Sequence, residues 1–349
     1  MEDKRLYNLD FLRIFACFMV LILHMSGHNW SKVPPQSIEW QVFNVYDVLV
    51  RSAVPLFFML SGKLFLSKED VSLKKLFSKN IPKLIFVYFF WSLFYAVDLI
   101  GVKNIIASPN LSNILSAFLS SKYHLWYLPA LVSVYLLIPV FISMKSYKNG
   151  KMLDYTALLF FVFSIVLYSI SLLPISQSYK TFLQGFGFVF DTYCGYFLFG
   201  HIFDRYNEKL KKIPTFVLLT IFLITVSVTA AGSYFLSVNA GMAISTLYNG
   251  FFISTFIEAA VIFILFLRLP KISVRQTMGT AIKKISKYTF FIYLFHPFVI
   301  EHFDLWFGFD SLSFAPVLSV PVIAILLFVI CIIIAMILDR IPIVRKIFL

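Results

Sequence analysis

Ten stretches of this chain are apolar over roughly 20 residues each, the length an α-helix needs to cross ~30 Å of hydrocarbon. They run over about 9–27, 44–66, 82–101, 125–143, 154–173, 183–203, 214–236, 248–268, 288–306 and 316–338. With 60% hydrophobic and 13% charged residues and a mean hydropathy of +0.87, the 349-residue chain is too apolar for a soluble globular domain. In lipid, backbone polar groups must be satisfied within the segment, so the spans are predicted to be helices. The expected fold is all-α, a polytopic bundle of about ten transmembrane helices forming one membrane domain over 1–349. Cys17, Cys194 and Cys331 are odd in number and each lies inside an apolar stretch, so neither a disulfide framework nor a metal site is expected.

The formal net charge of +13 raises nucleic acid as a partner, but the placement of the charge argues for a bilayer. If the N-terminus is cytoplasmic and the loops alternate, 24 of the 30 Lys and Arg fall inside. Only Lys32, Lys103, Lys122 and Lys180 fall outside, and Arg13 and Arg51 lie within spans. That asymmetry predicts both termini in the cytoplasm, with the juxtamembrane lysines facing anionic headgroups and no role for nucleic acid. The first span follows Lys4 and Arg5 as a signal peptide would, but it contains Arg13 and has no small-residue cleavage site, so it is read as retained.

Ionisable side chains at membrane depth are costly and mark function by default. In LDFLRIFACFMVLILHMSGH, Arg13 and His24 are eleven residues apart, which on a helix places them on one face about 16 Å apart. Asp10 lies one turn before Arg13, in position to pair with it. This stripe suits a cavity with an anion site towards one end and a proton acceptor towards the other; a snorkelling arginine and an interfacial histidine form the plainer reading. Span 2 ends in VPLFFMLSGKLF, where Pro55 kinks the helix and Ser61 with Gly62 marks its end. Lys74, Lys75, Lys79 and Lys83 crowd the start of span 3, as a phosphate site or as ordinary membrane anchoring. His124, Trp126 and Tyr127 open span 4, equally in the manner of a sugar site or of an aromatic belt. In span 9, SKYTFFIYLFHPFVI, His296 precedes Pro297 with Tyr293 one turn earlier. Glu258 in span 8 and Asp191 in span 6 are expected to face the bundle interior.

Taken in order, these segments resemble the acyltransferase 3 family of membrane acyltransferases. LDFLRIFACFMVLILH looks like the family's opening motif, with Arg13 and His24 at its Arg-x10-His spacing, and VPLFFMLSGKLF, HLWYLPALVSVYLLIP, YFLFG at 196–200 and SKYTFFIYLFHPF follow. Where many members carry Arg-x-x-Arg at the start of span 3, this chain has Asn80 and Lys83 with Lys79 beside them. Lysine then supplies charge without the two-pronged grip of guanidinium.

The resemblance implies transfer of an acyl group, usually acetyl from cytoplasmic acetyl-CoA, to a hydroxyl of an acceptor at or beyond the outer leaflet of the cell membrane. The acceptor class it implies is an envelope polysaccharide or glycolipid. His24 would serve as general base, and Arg13 would hold the donor's phosphate or polarise its thioester carbonyl. Ser61, Lys79 and Lys83 would complete the donor side, and His124, Trp126 and His296 would border the acceptor side, with Asp10, Tyr293 and Glu258 in support. Direct transfer and a transient acyl-histidine both remain open. A transporter that uses the same residues for binding alone is the competing reading. Oligomeric state is not legible in the sequence.

Overall fold

The computed structural model describes residues 7–68, 71–107, 110–172, 176–187, 192–269 and 276–348. Among the described residues every regular element is helical. The helices of ten residues or more are α1 (Tyr7–Trp30), α2 (Ile38–Val50), α3 (Ala53–Leu66), α4 (Ile81–Ile100), α5 (Leu111–Ser120), α6 (Tyr127–Ser146), α7 (Lys151–Phe160), α8 (Gln177–Gly187), α9 (Cys194–Arg205), α10 (Thr215–Ala240), α11 (Ile253–Arg268), α12 (Gln276–Phe307) and α13 (Pro316–Leu338).

Seven helical stretches among the described residues are long and apolar enough to cross a membrane, against ten apolar runs in the sequence. The difference has identifiable sources. The stretch 127–171 takes in two of the expected runs, and between them Lys148, Asn149 and Gly150 all adopt positive φ, which turns α7 back against α6. Helix α9 has only 12 residues, and Asp191, in the run expected there, lies outside the described residues. Helix α12 has the length but carries Lys283, Lys284, Lys287, Glu301 and Asp304. The chain is thus a multi-pass membrane protein.

Helix α1 is the hub. It packs against α2, α3, α11, α12 and α13, and Leu12, Ala16, Cys17, Leu21 and Met25 are almost fully buried. Its most apolar window is 56% buried within the protein, against 22% for α10, whose Phe216, Leu223, Ile224 and Val228 point outward as lipid-facing side chains do. An apolar helix needs no lipid on its core side, so α1 is free to present its polar stripe to a cavity.

The tightest pairing is α3 with α9. A side chain at Gly62 would run into the backbone carbonyl of Phe197, and one at Gly200 into that of Met59. Small residues are what let two backbones approach this closely in lipid, where close packing rather than water exclusion holds helices together. Beyond the crossing, Lys63 pairs with Asp204, and Ser67 Oγ donates to Asp204 at 2.8 Å and lies 3.2 Å from His201 Nδ1. This fixes the register of α3, and with it the face that α3 turns towards α1.

Gly62→Leu or Gly200→Leu forces backbone apart and is expected to cost more than the ~1–3 kcal/mol of ordinary overpacking. Melting of the purified protein in detergent checks this: both variants should melt well below the parent. Gly27→Ala, where an added methyl meets nothing within 4 Å, should melt with it.

Candidate functional site

Helices α1 and α3 run antiparallel, and a cavity of about 530 Å³ opens between them, closed by α6, α12 and the segments around Tyr193 and Tyr248. Arg13, Ser61, Lys68 and Tyr135 line one end. His24, Arg51, Val54, Tyr123, His124, Trp126, Tyr193 and Tyr248 line the other, with Tyr127, Thr289 and Tyr293 along the wall. The volume is that of a small-molecule site.

At the first end, Arg13 Nη1 donates to Ser286 Oγ at 3.1 Å and lies 3.5 Å from Asp10 Oδ1. Ser286 Oγ in turn donates to Asp10 Oδ1 at 2.7 Å, which ties α1 to α12. Asp10 is nearly buried, at 7% side-chain exposure, while Arg13 keeps 30%. The carboxylate and the hydroxyl hold the guanidinium, which lines the cavity. A charge-assisted grip of this kind fixes direction as well as charge.

At the second end three histidines from three distant segments come together. The ring of His24 stacks on that of His296 at a centroid distance of 5.0 Å and tilts against Tyr123 at 5.1 Å; His124 meets His296 edge-on at 5.4 Å. The cause lies in Pro297. Lacking an N–H, it leaves the carbonyl of Tyr293 without its helical donor, and His296 Nδ1 donates to that carbonyl at 2.8 Å and to the carbonyl of Ile292 at 3.1 Å. The next carbonyl, of Leu294, accepts from Tyr95 Oη at 2.8 Å and from His124 Nε2 at 3.3 Å. Tyr293 Oη donates to the carbonyl of His124 at 2.6 Å. With one ring nitrogen of each histidine committed as donor, His296 Nε2 and His124 Nδ1 are left as bare lone pairs, both buried and without a partner among the described residues. His24 differs: it is half-buried, lines the cavity, and is held by ring contacts. It has lone-pair capacity and access together, which a general base requires.

Of the residues singled out in the sequence, Arg13, His24, Ser61, His124, Trp126 and Tyr293 line this one cavity. His296 supports it from behind His24 and is fully buried. Asp10 acts through Arg13. Glu258, 1% exposed on α11, does not line the cavity, and its Oε2 has no partner among the described residues. Lys79 is exposed in the π-helical segment Leu76–Asn80 that leads into α4, and Lys83 is half-buried on α4; neither lines the cavity. Lys68, Arg51 and the tyrosines 123, 135, 193 and 248 do, and sequence reasoning passed over them as lining residues. A signal for Arg51 existed in Asp47, one helical turn earlier within an apolar run. Away from the cavity lining, His28, Asp304 and Asp310 bring ligand atoms within 4.8 Å of one another, a grouping accounted for by the 3.1 Å contact of His28 with Asp304 and the 2.7 Å bond from Asn29 to Asp310.

A family profile described as an acyltransferase domain matches residues 6–338, so nearly the whole chain, the cavity included, falls within it. No curated protein and no solved structure matches the chain.

The continuity of the cavity is testable without any activity. The native cysteines are all buried and free, so single cysteines report directly. Arg13→Cys, His24→Cys and Tyr123→Cys should react with a small charged methanethiosulfonate reagent in detergent, and Leu12→Cys, at a position with no exposure, should not. Protection of both Arg13→Cys and His24→Cys would mean that the two ends are closed off.

Proposed function

We propose that this member of the acyltransferase family is a cell-membrane O-acyltransferase that moves an acyl group, in the first instance acetyl, from cytoplasmic acyl-CoA to a hydroxyl of an extracytoplasmic envelope polysaccharide or glycolipid. The observation that carries this reading is that Arg13 and His24 line one cavity from opposite ends, about 16 Å apart along α1. Its orientation follows from the charge asymmetry, with about ten spans and both termini in the cytoplasm, which puts Arg13 on the donor side and His24 on the acceptor side.

A cavity of about 530 Å³ takes the acyl-pantetheine arm but not a whole acyl-CoA, so the nucleotide stays at the cytoplasmic mouth. There Lys68, Lys79 and Lys83 supply ammonium groups for its phosphates. Arg13, aimed by Asp10 and Ser286 and with Ser61 on the same side, grips a phosphate of the donor, and the pantetheine arm runs from there along the cavity to bring the acyl carbon to His24. At the other end the acceptor sugar lies against Trp126, Tyr123 and Tyr193. A ring nitrogen of His24 takes the proton of the acceptor hydroxyl as its oxygen attacks the acyl carbon. The carbon–sulfur bond then breaks, the thiolate of CoA leaves and takes up the proton that His24 holds, and the ester leaves on the acceptor. His296 and His124, with Tyr293 behind them, hold the His24 ring in place.

Incubating purified protein in liposomes with labelled acetyl-CoA and an envelope glycan extract tests this reading. His24→Ala should lower acyl transfer by ~10²- to 10⁴-fold with little change in donor affinity. Arg13→Ala should act mainly by weakening acetyl-CoA binding, by about tenfold or more, and Asp10→Asn by less, because Arg13 is then present but misaimed. Full transfer by His24→Ala would remove the base assignment.

A further inference from the structure

Arg13 is not the only arginine held this way. Between α2 and α3 the helix breaks at Arg51 and Ser52, part-way along a stretch of apolar residues, Ile38–Leu66, long enough to span. Arg51 Nε donates to Asp47 Oδ1 at 2.9 Å and Nη2 donates to the same oxygen, which leaves Nη1 without a hydrogen-bond partner among the described residues. The guanidinium lies over the ring of Tyr248 at 5.1 Å, and Tyr248 is fixed in turn by its hydroxyl on Asn44. Asp47 is nearly buried, at 7% side-chain exposure, and stays out of the cavity wall, while Arg51 is 25% exposed and lines it. The pattern repeats Asp10 and Arg13: a buried carboxylate one turn earlier on the same helix, and a guanidinium turned to the cavity.

The two arginines occupy opposite ends. Tyr248 packs on Trp30 at 5.5 Å, and Trp30 lies beyond His24 on α1, so the Arg51 site belongs to the histidine end and not to the Arg13 end. Val54 and Pro55, in the first turn of α3, line the cavity beside Arg51. Pro55 has no backbone N–H, so what this first turn adds is the N–H of Val54 and the positive end of the helix dipole. The hydroxyl of Ser52, which has no exposure, has no partner among the described residues and lies at that same break. Finally, three cationic side chains, Arg13, Arg51 and Lys68, line the cavity, and among the described lining residues there is no carboxylate. A neutral sugar would need only the aromatic and hydroxyl groups; a second, separately built cation is chemistry for an anion.

We propose that Arg51, backed by Asp47 and joined by the first turn of α3, is an anion subsite at the acceptor end, and that the acceptor therefore carries a phosphate or carboxylate close to the hydroxyl that is acylated. This rests on the acyl-transfer reading for the word acceptor, but the subsite is defined by binding and is tested without turnover.

The test is equilibrium binding to the detergent-purified full chain, read by tryptophan fluorescence, with glucose 1-phosphate, glucuronate and glucose as probes and no acetyl-CoA present. Both charged sugars should bind about tenfold or more tighter than glucose, and whichever binds better identifies phosphate or carboxylate as the natural group. Arg51→Gln should abolish that preference while leaving acetyl-CoA affinity unchanged. Because Arg51→Gln alone strands the buried Asp47 charge, the double variant Arg51→Gln/Asp47→Asn removes the pair as a unit; it should retain the parent's melting temperature and still lose the preference. Equal binding of charged and neutral sugars by the parent, an intact preference in the double variant, or a change confined to acetyl-CoA affinity would each overturn the subsite. Loss of acyl transfer in His24→Ala, or its persistence, bears on the reaction and leaves this result standing.

Discussion

An arginine inside an apolar bundle must have a counter-charge, and in this protein the partner of each in-span arginine comes from its own helix. Asp10 stands three residues before Arg13 and Asp47 four before Arg51, both carboxylates nearly buried. Taking a guanidinium out of water is affordable only when it is paired and hydrogen-bonded, and both of these paired guanidinium groups line the cavity. The polar interior of the bundle is thus the necessary complement of two ion pairs, and the surrounding helices are arranged so that water or a ligand reaches them but lipid does not.

Two further sequence features make the arrangement rigid. Gly62 and Gly200 let α3 and α9 touch backbone to backbone, which holds α3 opposite the polar stripe of α1. Pro297 breaks the hydrogen-bond ladder of α12 at the depth of His24, and the one carbonyl it releases, that of Tyr293, takes a hydrogen bond from His296 instead, while the neighbouring carbonyl of Leu294 accepts from His124 and Tyr95. The acceptor that the proline leaves unmet in the span is thus satisfied by a side chain.

Much of this was legible in the sequence. The apolar runs predicted a helical membrane protein, and the spacing of Arg13 and His24 predicted a common face, because helical periodicity is local information. What depends on segments far apart in the chain was not. That His24, His124 and His296 form one cluster requires α1, the start of α6 and α12 to meet, and nothing in any one segment says so. Lys68 reads as an ordinary residue after a helix, yet the antiparallel packing of α1 and α3 brings it to the Arg13 end of the cavity. Lys79 and Lys83 read equally as a phosphate site or as membrane anchors, and the fold places both off the cavity wall. The span counts differ because the stretch 127–171 counts once although it turns at Lys148–Gly150, and because α9 is short and α12 carries charges towards its ends, although the sequence has an apolar run at each of these places.

The central claim is that one cavity takes a thioester from the Arg13 side and presents it to His24. The most direct measurement is a structure of the protein with a hydrolysis-resistant acetyl-CoA analogue in a lipid nanodisc. Density is predicted for the pantetheine arm entering past Lys68 and Ser61, with a phosphate of the analogue within hydrogen-bonding distance of Arg13 and the acyl carbon in the space in front of His24. An analogue bound elsewhere on the bundle, or one entering this cavity from the His24 side, would contradict it.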